Sequence, residues 1–113
     1  METKLLQQSD LDQFTGTENY YKSFLGLLYT DGIAFMAEKA GAYWLIDAIA
    51  SYHRKEHFQV WTLRRAFSVG TLVMREDTNA SVLVRQRIHY TDFPLVQIKL
   101  YVVDGVLMLP SEY

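Results

Sequence analysis

One segment of the sequence has the residue types and the spacing of a metal site. His53, Glu56 and His57 follow the order H-x-x-E-H, which in one class of zinc peptidases places two histidine ligands on one helix face with a glutamate as general base. Such enzymes take a third ligand from a helix further downstream, whereas the residues after His57 have the pattern of strands. Charged residues here are typical of the solvated C-terminus of a helix. We therefore predict no metal site.

Carboxylates are the second group that could perform chemistry. Asp31, Asp92 and Asp104 each lie in a turn signature, where an aspartate accepts hydrogen bonds from backbone N–H groups. If these three residues met at one end of a sheet, they could instead act as catalytic acids and bases. Asp47 follows apolar residues, and we predict it to be a buried carboxylate with an arginine partner. The chain has no cysteine, no G-x-S-x-G elbow and no glycine-rich phosphate loop. Hence we predict no catalytic residue and no cofactor.

Basic residues form the candidate binding surface. Arg85, Arg87 and His89 alternate along one predicted strand, so they share one face of it. Arg64 or Arg65, and Arg75, lie on strands expected to neighbour that strand. The candidate basic face therefore comprises Arg64, Arg65, Arg75, Arg85, Arg87 and His89. Interleaved with aromatic rings, such a face could bind phosphate backbones and stack bases. An acidic protein partner would neutralise the same cations. A sheet face that contacts only solvent would have the same pattern of basic residues.

The triplet Tyr-Thr-Asp occurs twice, at residues 29–31 and at residues 90–92. Both copies lie at predicted element boundaries, and each aspartate is expected to build a turn, with Gly32 or Pro94 fixing the local φ angle. If the two turns lie at the same end of the sheet, they would form a binding surface. Its residues would be Tyr29, Asp31, Tyr90 and Asp92.

These residues are positioned by elements that the hydrophobic periodicity predicts. A capping box at Thr15–Glu18 opens a helix over about 17–28, a short strand follows over 33–37, and a second helix covers 40–54. From Phe58 the period changes to two, which predicts a strand over 58–63 and further strands at 69–75, 81–90, 95–103 and 106–109. We predict an α+β fold in which two helices pack on one face of a curved, largely antiparallel sheet of four to five strands. Pro110 would mark the last strand as an edge.

Length and composition narrow the class of protein. A chain of 113 residues, half of them hydrophobic, predicts a single domain over 1–113, with residues 1–13 as a weakly ordered lead-in. The start lacks an apolar signal segment, and no apolar run approaches the roughly 18 residues of a membrane span. We therefore expect a cytoplasmic protein that does not contact membranes. The net charge is −2, but residues 54–100 hold eight basic against four acidic residues.

Five short motifs carry a resemblance to a known type of protein. They are F-x-G at 14–16, YTDGI at 29–33, YWLIDAI at 43–49, FxxWxL at 58–63 and YTDFPL at 90–95. This pattern resembles a small family of bacterial and phage- or plasmid-borne proteins of unknown function, over about residues 14–100. The resemblance implies a prokaryotic accessory protein and supplies no activity, cofactor or catalytic residue.

Three functional hypotheses follow. The first is a non-enzymatic binding module, an inhibitor or adaptor of a protein partner encoded by a mobile element, because the chain is small, lacks catalytic signatures and has eight tyrosines, a residue that favours interfaces. The first alternative is a nucleic-acid or other polyanion binder that uses the basic face. The second alternative is a small enzyme that uses Asp47 and the turn aspartates. A homo-oligomer through the edge strand 106–109 is compatible with each.

Overall fold

The computed structural model describes residues 6–113 and is built around one seven-stranded sheet. Its strands are β1 (Tyr20–Lys22), β2 (Leu28–Thr30), β3 (Phe58–Ala66), β4 (Val69–Arg75), β5 (Val84–Ile88), β6 (Gln97–Val103) and β7 (Val106–Met108). They lie in the order β1-β2-β7-β6-β3-β4-β5. Neighbours are antiparallel except β2 and β7, which are parallel. The predicted α+β class is confirmed, but the sheet has more than four to five strands and one parallel pair.

Three helices complete the fold of residues 6–113: α1 (Gln8–Asp12), α2 (Asp31–Ala40) and α3 (Tyr43–Ala50), with a final 3₁₀ turn at Pro110–Glu112. The hydroxyl of Thr30 accepts a hydrogen bond from the Ile33 N–H and caps the start of α2. Gly41 ends α2 in the left-handed conformation, with φ of 62°. In the described part of the chain, no helix is long and apolar enough to cross a membrane.

The two faces of β3, β4, β5 and β6 have different neighbours. On one face, strand residues join the buried residues of α2 and α3 in a single core: Trp61, Leu63, Leu72, Met74, Ile98 and Leu100. Because side chains alternate along a strand, the intervening residues lie on the other face, which we call the open face. Val60 belongs to the open face, and it lies outside that core cluster although only 3% of it is exposed.

The helix predicted over 17–28 and the strand predicted over 33–37 are both wrong. Residues 20–30 form the β1–β2 hairpin, whose turn has Gly26 at φ 97° and the Ser23 hydroxyl accepting a hydrogen bond from the Leu27 N–H. The aromatic and apolar residues of this hairpin recur at the same spacing as the residues of one helix face. This periodicity explains why a helix was predicted over 17–28. Residues 33–37 belong to α2 because the cap at Thr30 starts a helix there.

The final strand is not the edge that the sequence predicted. β7 lies between β2 and β6, and the edges of the sheet are β1 and β5. The parallel pairing of Leu28 with Val106 covers the side of β7 that Pro110 was expected to leave free. A homo-oligomer through strand 106–109 therefore loses its structural basis. Of the predicted lead-in, residues 1–5 lie outside the described residues, whereas Gln8–Asp12 form α1 and bury Leu11.

Candidate functional site

Three rows of side chains cross the open face from β6, two of them to β5 and the third to β4, and the strand register defines them. The first row is Gln97–Arg64–Thr71–Arg87, the second Lys99–Thr62–Val73–Arg85, and the third Tyr101–Val60–Arg75. In the two rows that contain two cations, neutral side chains separate them, so that no two like charges face each other directly across a strand pair. Five cations nevertheless share this one face. We call Arg64, Arg75, Arg85, Arg87 and Lys99 the cation set.

A cavity of about 560 Å³ lies over these rows. Its floor contains Val60, Thr62 and Val73, and four members of the cation set line it together with Thr71, Thr78 and Gln97. Arg87 lies in an adjoining depression of about 640 Å³, which shares Arg64 with the cavity. The volume is in the range of ligand-binding pockets, which is about 300–1,000 Å³. The open face therefore has a concave, cation-lined surface.

The cation set has no anionic partner among residues 6–113. The three rows contain no carboxylate. The ion pairs between described residues are Arg54–Glu56 and His57–Asp104, both outside the open face. Glu76 and Asp77 follow Arg75 in the β4–β5 turn, but neither forms an ion pair with it. Because their charges are not matched within the described chain, these five side chains are free to contact an external anion.

Three aromatic rings lie beside the cation set on the same face. Phe58, Tyr101 and Tyr113 contact one another, with ring centroids 5.0 Å, 5.5 Å and 5.7 Å apart. We call these residues the aromatic cluster. Tyr101 is two residues from Lys99 on β6 and pairs with Val60 in the cavity floor. Tyr113 is 74% exposed, so most of its ring is accessible to a ligand.

Two members of the predicted basic face do not belong to the cation set, although Arg65 lines the depression that contains Arg87. Arg65 pairs with Gly70 and is on the same side of β3 as the core residue Leu63. Its Nη1 donates to the Phe67 carbonyl at 2.8 Å, while its buried Nε has no hydrogen-bond partner among the described residues. His89 lies beyond the end of β5 and is exposed. The sequence prediction omitted Lys99, which the β3–β6 register places opposite Thr62.

The two Tyr-Thr-Asp triplets do not share a site. The first triplet spans the end of β2 and the start of α2, and the second follows β5. The directions of β2 and β5 agree, so both triplets lie at the same end of the sheet. Four strands separate β2 from β5, and five steps of about 4.8 Å put the triplets roughly 24 Å apart. Tyr29 stacks on Tyr21 at 5.4 Å, whereas Tyr90 is 72% exposed at the far edge. The structure therefore does not bring Tyr29, Asp31, Tyr90 and Asp92 together at one position of the sheet.

The aspartate of the first triplet has a structural environment. The carboxylate of Asp31 accepts hydrogen bonds from the Glu18 N–H at 2.9 Å, the Tyr21 hydroxyl at 2.9 Å and the Asn19 N–H at 3.2 Å. The bond from the Glu18 backbone, followed by those from Tyr21 and Asn19, lowers the pKa of Asp31 to about 2. The hydrogen bond from the Tyr21 hydroxyl to Asp31 raises the pKa of Tyr21, because the carboxylate holds the hydroxyl proton.

Glu112 forms the other half of this environment, and sequence analysis missed it. Its Oε1 accepts from the Thr30 hydroxyl at 2.6 Å and from the Leu109 N–H at 2.9 Å, and its Oε2 accepts from the Gly32 N–H at 3.1 Å. A Cβ atom on Gly32 would lie 2.6 Å from Oε1, so a larger residue here would require the Glu112 carboxylate to shift. We call Thr30, Asp31, Gly32 and Glu112 the α2 corner. The contacts span 80 residues of sequence, which no local motif reveals.

The remaining candidates are separated from one another. His53 lies just after α3 with φ of 50°, Glu56 pairs with Arg54, and the Nδ1 of His57 is 2.9 Å from an Asp104 oxygen. Among residues 6–113, no three His, Cys, Asp or Glu side chains are grouped so that they could hold a metal ion.

The prediction that Asp47 is buried is wrong. Because α3 begins at Tyr43, Leu45, Ile46 and Ile49 face the core and Asp47 faces solvent.

Comparison with known proteins gives one match. A protein-family model described as a family of unknown function (DUF6876) matches residues 5–113. No curated protein and no solved structure matches the chain. The predicted resemblance to a small domain family of unknown function is thereby confirmed. The match covers nearly the whole chain, and the protein belongs to the DUF6876 family.

Proposed function

We propose that the protein is a non-enzymatic binding module that holds a polyanion on the open face of its sheet. The observation that supports the proposal is the cation set: four basic side chains around one cavity and a fifth, Arg87, in the adjoining depression, with no anionic partner among the described residues. For the accessory protein that the family resemblance implies, anion binding is the mode of action we favour over catalysis. The aspartates considered for catalysis are engaged in the α2 corner, paired with a histidine or exposed.

The driving force would be the release of counterions from the polyanion. Each phosphate that a lysine or arginine neutralises contributes about 0.7 to the slope of log affinity against log salt, for a single-stranded chain. Five contacts give a slope of about −3.5, so the affinity should fall about a hundredfold between roughly 50 and 200 mM salt. The net charge of −2 does not oppose this, because the acidic residues lie outside the three rows.

Binding of a fluorescent inorganic polyphosphate, measured over a range of salt concentrations, tests the proposal. The double variant Arg85→Ala/Arg87→Ala removes two cations from the edge strand β5 and should lower the salt slope by about 1.4. Lys39→Ala/Lys55→Ala is the matched control, because it removes two exposed cations outside the open face. Absence of binding by the unaltered protein at low salt, or equal losses in the two double variants, would overturn the proposal.

A protein partner is the second candidate, supported by a different surface. Phe24 is 96% exposed at the tip of the β1–β2 hairpin, its chain neighbour Leu25 is also exposed, and the exposed Tyr43 lines a small cavity together with Phe24. An apolar, aromatic surface of this kind is typical of protein interfaces. A photo-crosslinking amino acid at position 24 should yield a discrete adduct in cells, whereas the same group at position 67, where Phe67 is 92% exposed, should not. Identical adduct patterns at both positions would contradict this candidate.

A further inference from the structure

The open face has two chemically different halves. The half formed by β3, β4 and β5 carries most of the cation set around the cavity. The half formed by β6, β7 and Tyr113 carries two rings of the aromatic cluster, beside Met108, which pairs with Tyr101. The third ring, Phe58, joins them from the adjoining end of β3. Lys99 and Tyr101 are successive residues of β6 on this face, so they lie about 7 Å apart along the strand. Cations and rings are therefore within reach of one ligand.

The dimensions of the surface suit a narrow ligand. From β6 to β5 there are three strand steps of about 4.8 Å, roughly 14 Å between backbones, and the arginine side chains of the rows project into this space. At the β6 side the cavity adjoins Tyr101, and the exposed ring of Tyr113 lies beyond it. An extended ligand chain that crosses the rows would place its charged groups over the cations. The groups that follow them along the ligand would then lie against the aromatic rings.

The two halves together select among polyanions. Inorganic polyphosphate and sulfated sugars offer charge but no planar ring, and a duplex keeps its bases stacked inside. A single-stranded nucleic acid offers both phosphates and unstacked bases, and aromatic side chains in a basic groove are the usual means of binding it. An acidic peptide would use the cations but leave the exposed ring of Tyr113 without a matching group.

We infer that the open face binds a single-stranded nucleic acid, with phosphates on the cation set and at least one base stacked on the aromatic cluster. This inference rests on the proposed polyanion binding and specifies its ligand. The sequence requirement is expected to be weak, because every base has a face that can stack. Tyr113 would be the main stacking residue, since Phe58 and Tyr101 are half-buried beneath it.

Fluorescence anisotropy at low salt tests the inference with three probes. They are a labelled single strand of about 12 nucleotides, within the usual site size of 4–16, a duplex of the same length, and inorganic polyphosphate. Tyr113→Ala should weaken binding of the single strand about 5- to 100-fold and leave polyphosphate binding unchanged. Tyr113→Phe should retain the affinity because it keeps the ring. Tyr43→Ala, which removes an exposed tyrosine on α3, is the control.

The outcomes separate this inference from the proposed function. Preference for the single strand, lost in Tyr113→Ala and in a second variant, Tyr101→Leu, supports it. Equal affinity for all three probes, unchanged in Tyr113→Ala, overturns the nucleic-acid assignment while polyanion binding stands. Preference for an acidic peptide over the single strand also overturns it. Failure to bind any probe overturns both, and circular dichroism of each variant shows whether a loss reflects unfolding.

Discussion

The α2 corner and the cation set are both groups of charged side chains, and they differ in what they contact. In the α2 corner, the carboxylates of Asp31 and Glu112 accept hydrogen bonds from backbone and side-chain donors on distant parts of the chain. On the open face, none of the five cations forms an ion pair or hydrogen bond with a described residue. The carboxylates of the α2 corner are hydrogen-bonded within the chain, whereas the side chains of the cation set have no such partner among the described residues.

This difference indicates which group holds the fold and which is available for binding. A charged group with several internal hydrogen bonds contributes to stability, and removing it leaves unsatisfied donors behind. A solvated cation without a partner contributes little to stability. Substitutions in the α2 corner should therefore lower the free energy of unfolding, whereas substitutions in the cation set should change binding alone.

The largest effect is expected for Glu112→Ala. It removes the acceptor of three hydrogen bonds and leaves the hydroxyl proton of Thr30, a residue only 1% exposed, without an acceptor. We expect a loss of about 3 kcal/mol in the free energy of unfolding, measured by urea denaturation. Glu112→Gln keeps one carbonyl oxygen as acceptor and should lose less. A loss below about 0.5 kcal/mol in Glu112→Ala would show that the α2 corner does not hold the fold.

Gly32→Ala should have the next largest effect, because it disturbs the same contacts sterically. The added Cβ would lie 2.6 Å from Glu112 Oε1 and 2.7 Å from Leu109 Cδ1. We expect a cost of about 2 kcal/mol. In the Glu112→Ala background the cost should be smaller, since one of the two clashing groups is gone. Strict additivity in this double-mutant cycle would contradict a shared origin.

Acidification should weaken the α2 corner through Asp31. Its pKa in the folded protein is about 2, below the ordinary value of 3.8, so its contribution is present above about pH 4 and is lost as the pH falls toward 2. The urea midpoint should drop over this window more in the unaltered protein than in Asp31→Asn. An equal drop in both proteins would assign the acid sensitivity to other carboxylates.

The smallest effect on stability is expected for Arg85→Ala/Arg87→Ala. Both side chains are exposed and without a partner in the described chain. The free energy of unfolding should stay within about 0.5 kcal/mol of the original, although polyanion binding falls. A large loss of stability in this variant would place the cation set among the structural charges and remove the contrast with the α2 corner.

Much of the sheet could be predicted from the sequence because β3, β4 and β6 keep a period of two over long runs. The same alternation assigned Arg85 and Arg87 to one face. The strand register determines the other members of the cation set. Arg64, which pairs with Gln97, lies on the open face, whereas Arg65 does not, and the same register adds Lys99. No pattern within one strand contains that information.

The first half of the chain was harder to predict because its contacts are long-range. Thr30 and Asp31 look like a turn before a strand, but Thr30 caps α2 and Glu112 closes the corner from the other end of the chain. Asp47 follows apolar residues, but the start of α3 at Tyr43 rotates it toward solvent. The short strands β1 and β2 form through pairing: β1 pairs with β2, and β2 pairs with β7.

The most direct test of polyanion binding on the open face is nuclear magnetic resonance of the isotope-labelled protein titrated with polyphosphate. We predict that amide shifts change in the three rows of the open face, at Thr62, Arg64, Thr71, Arg85 and Lys99, while those of α2 and α3 stay in place. Changes confined to the helices or to the β1–β2 hairpin, or no change at low salt, would contradict the account.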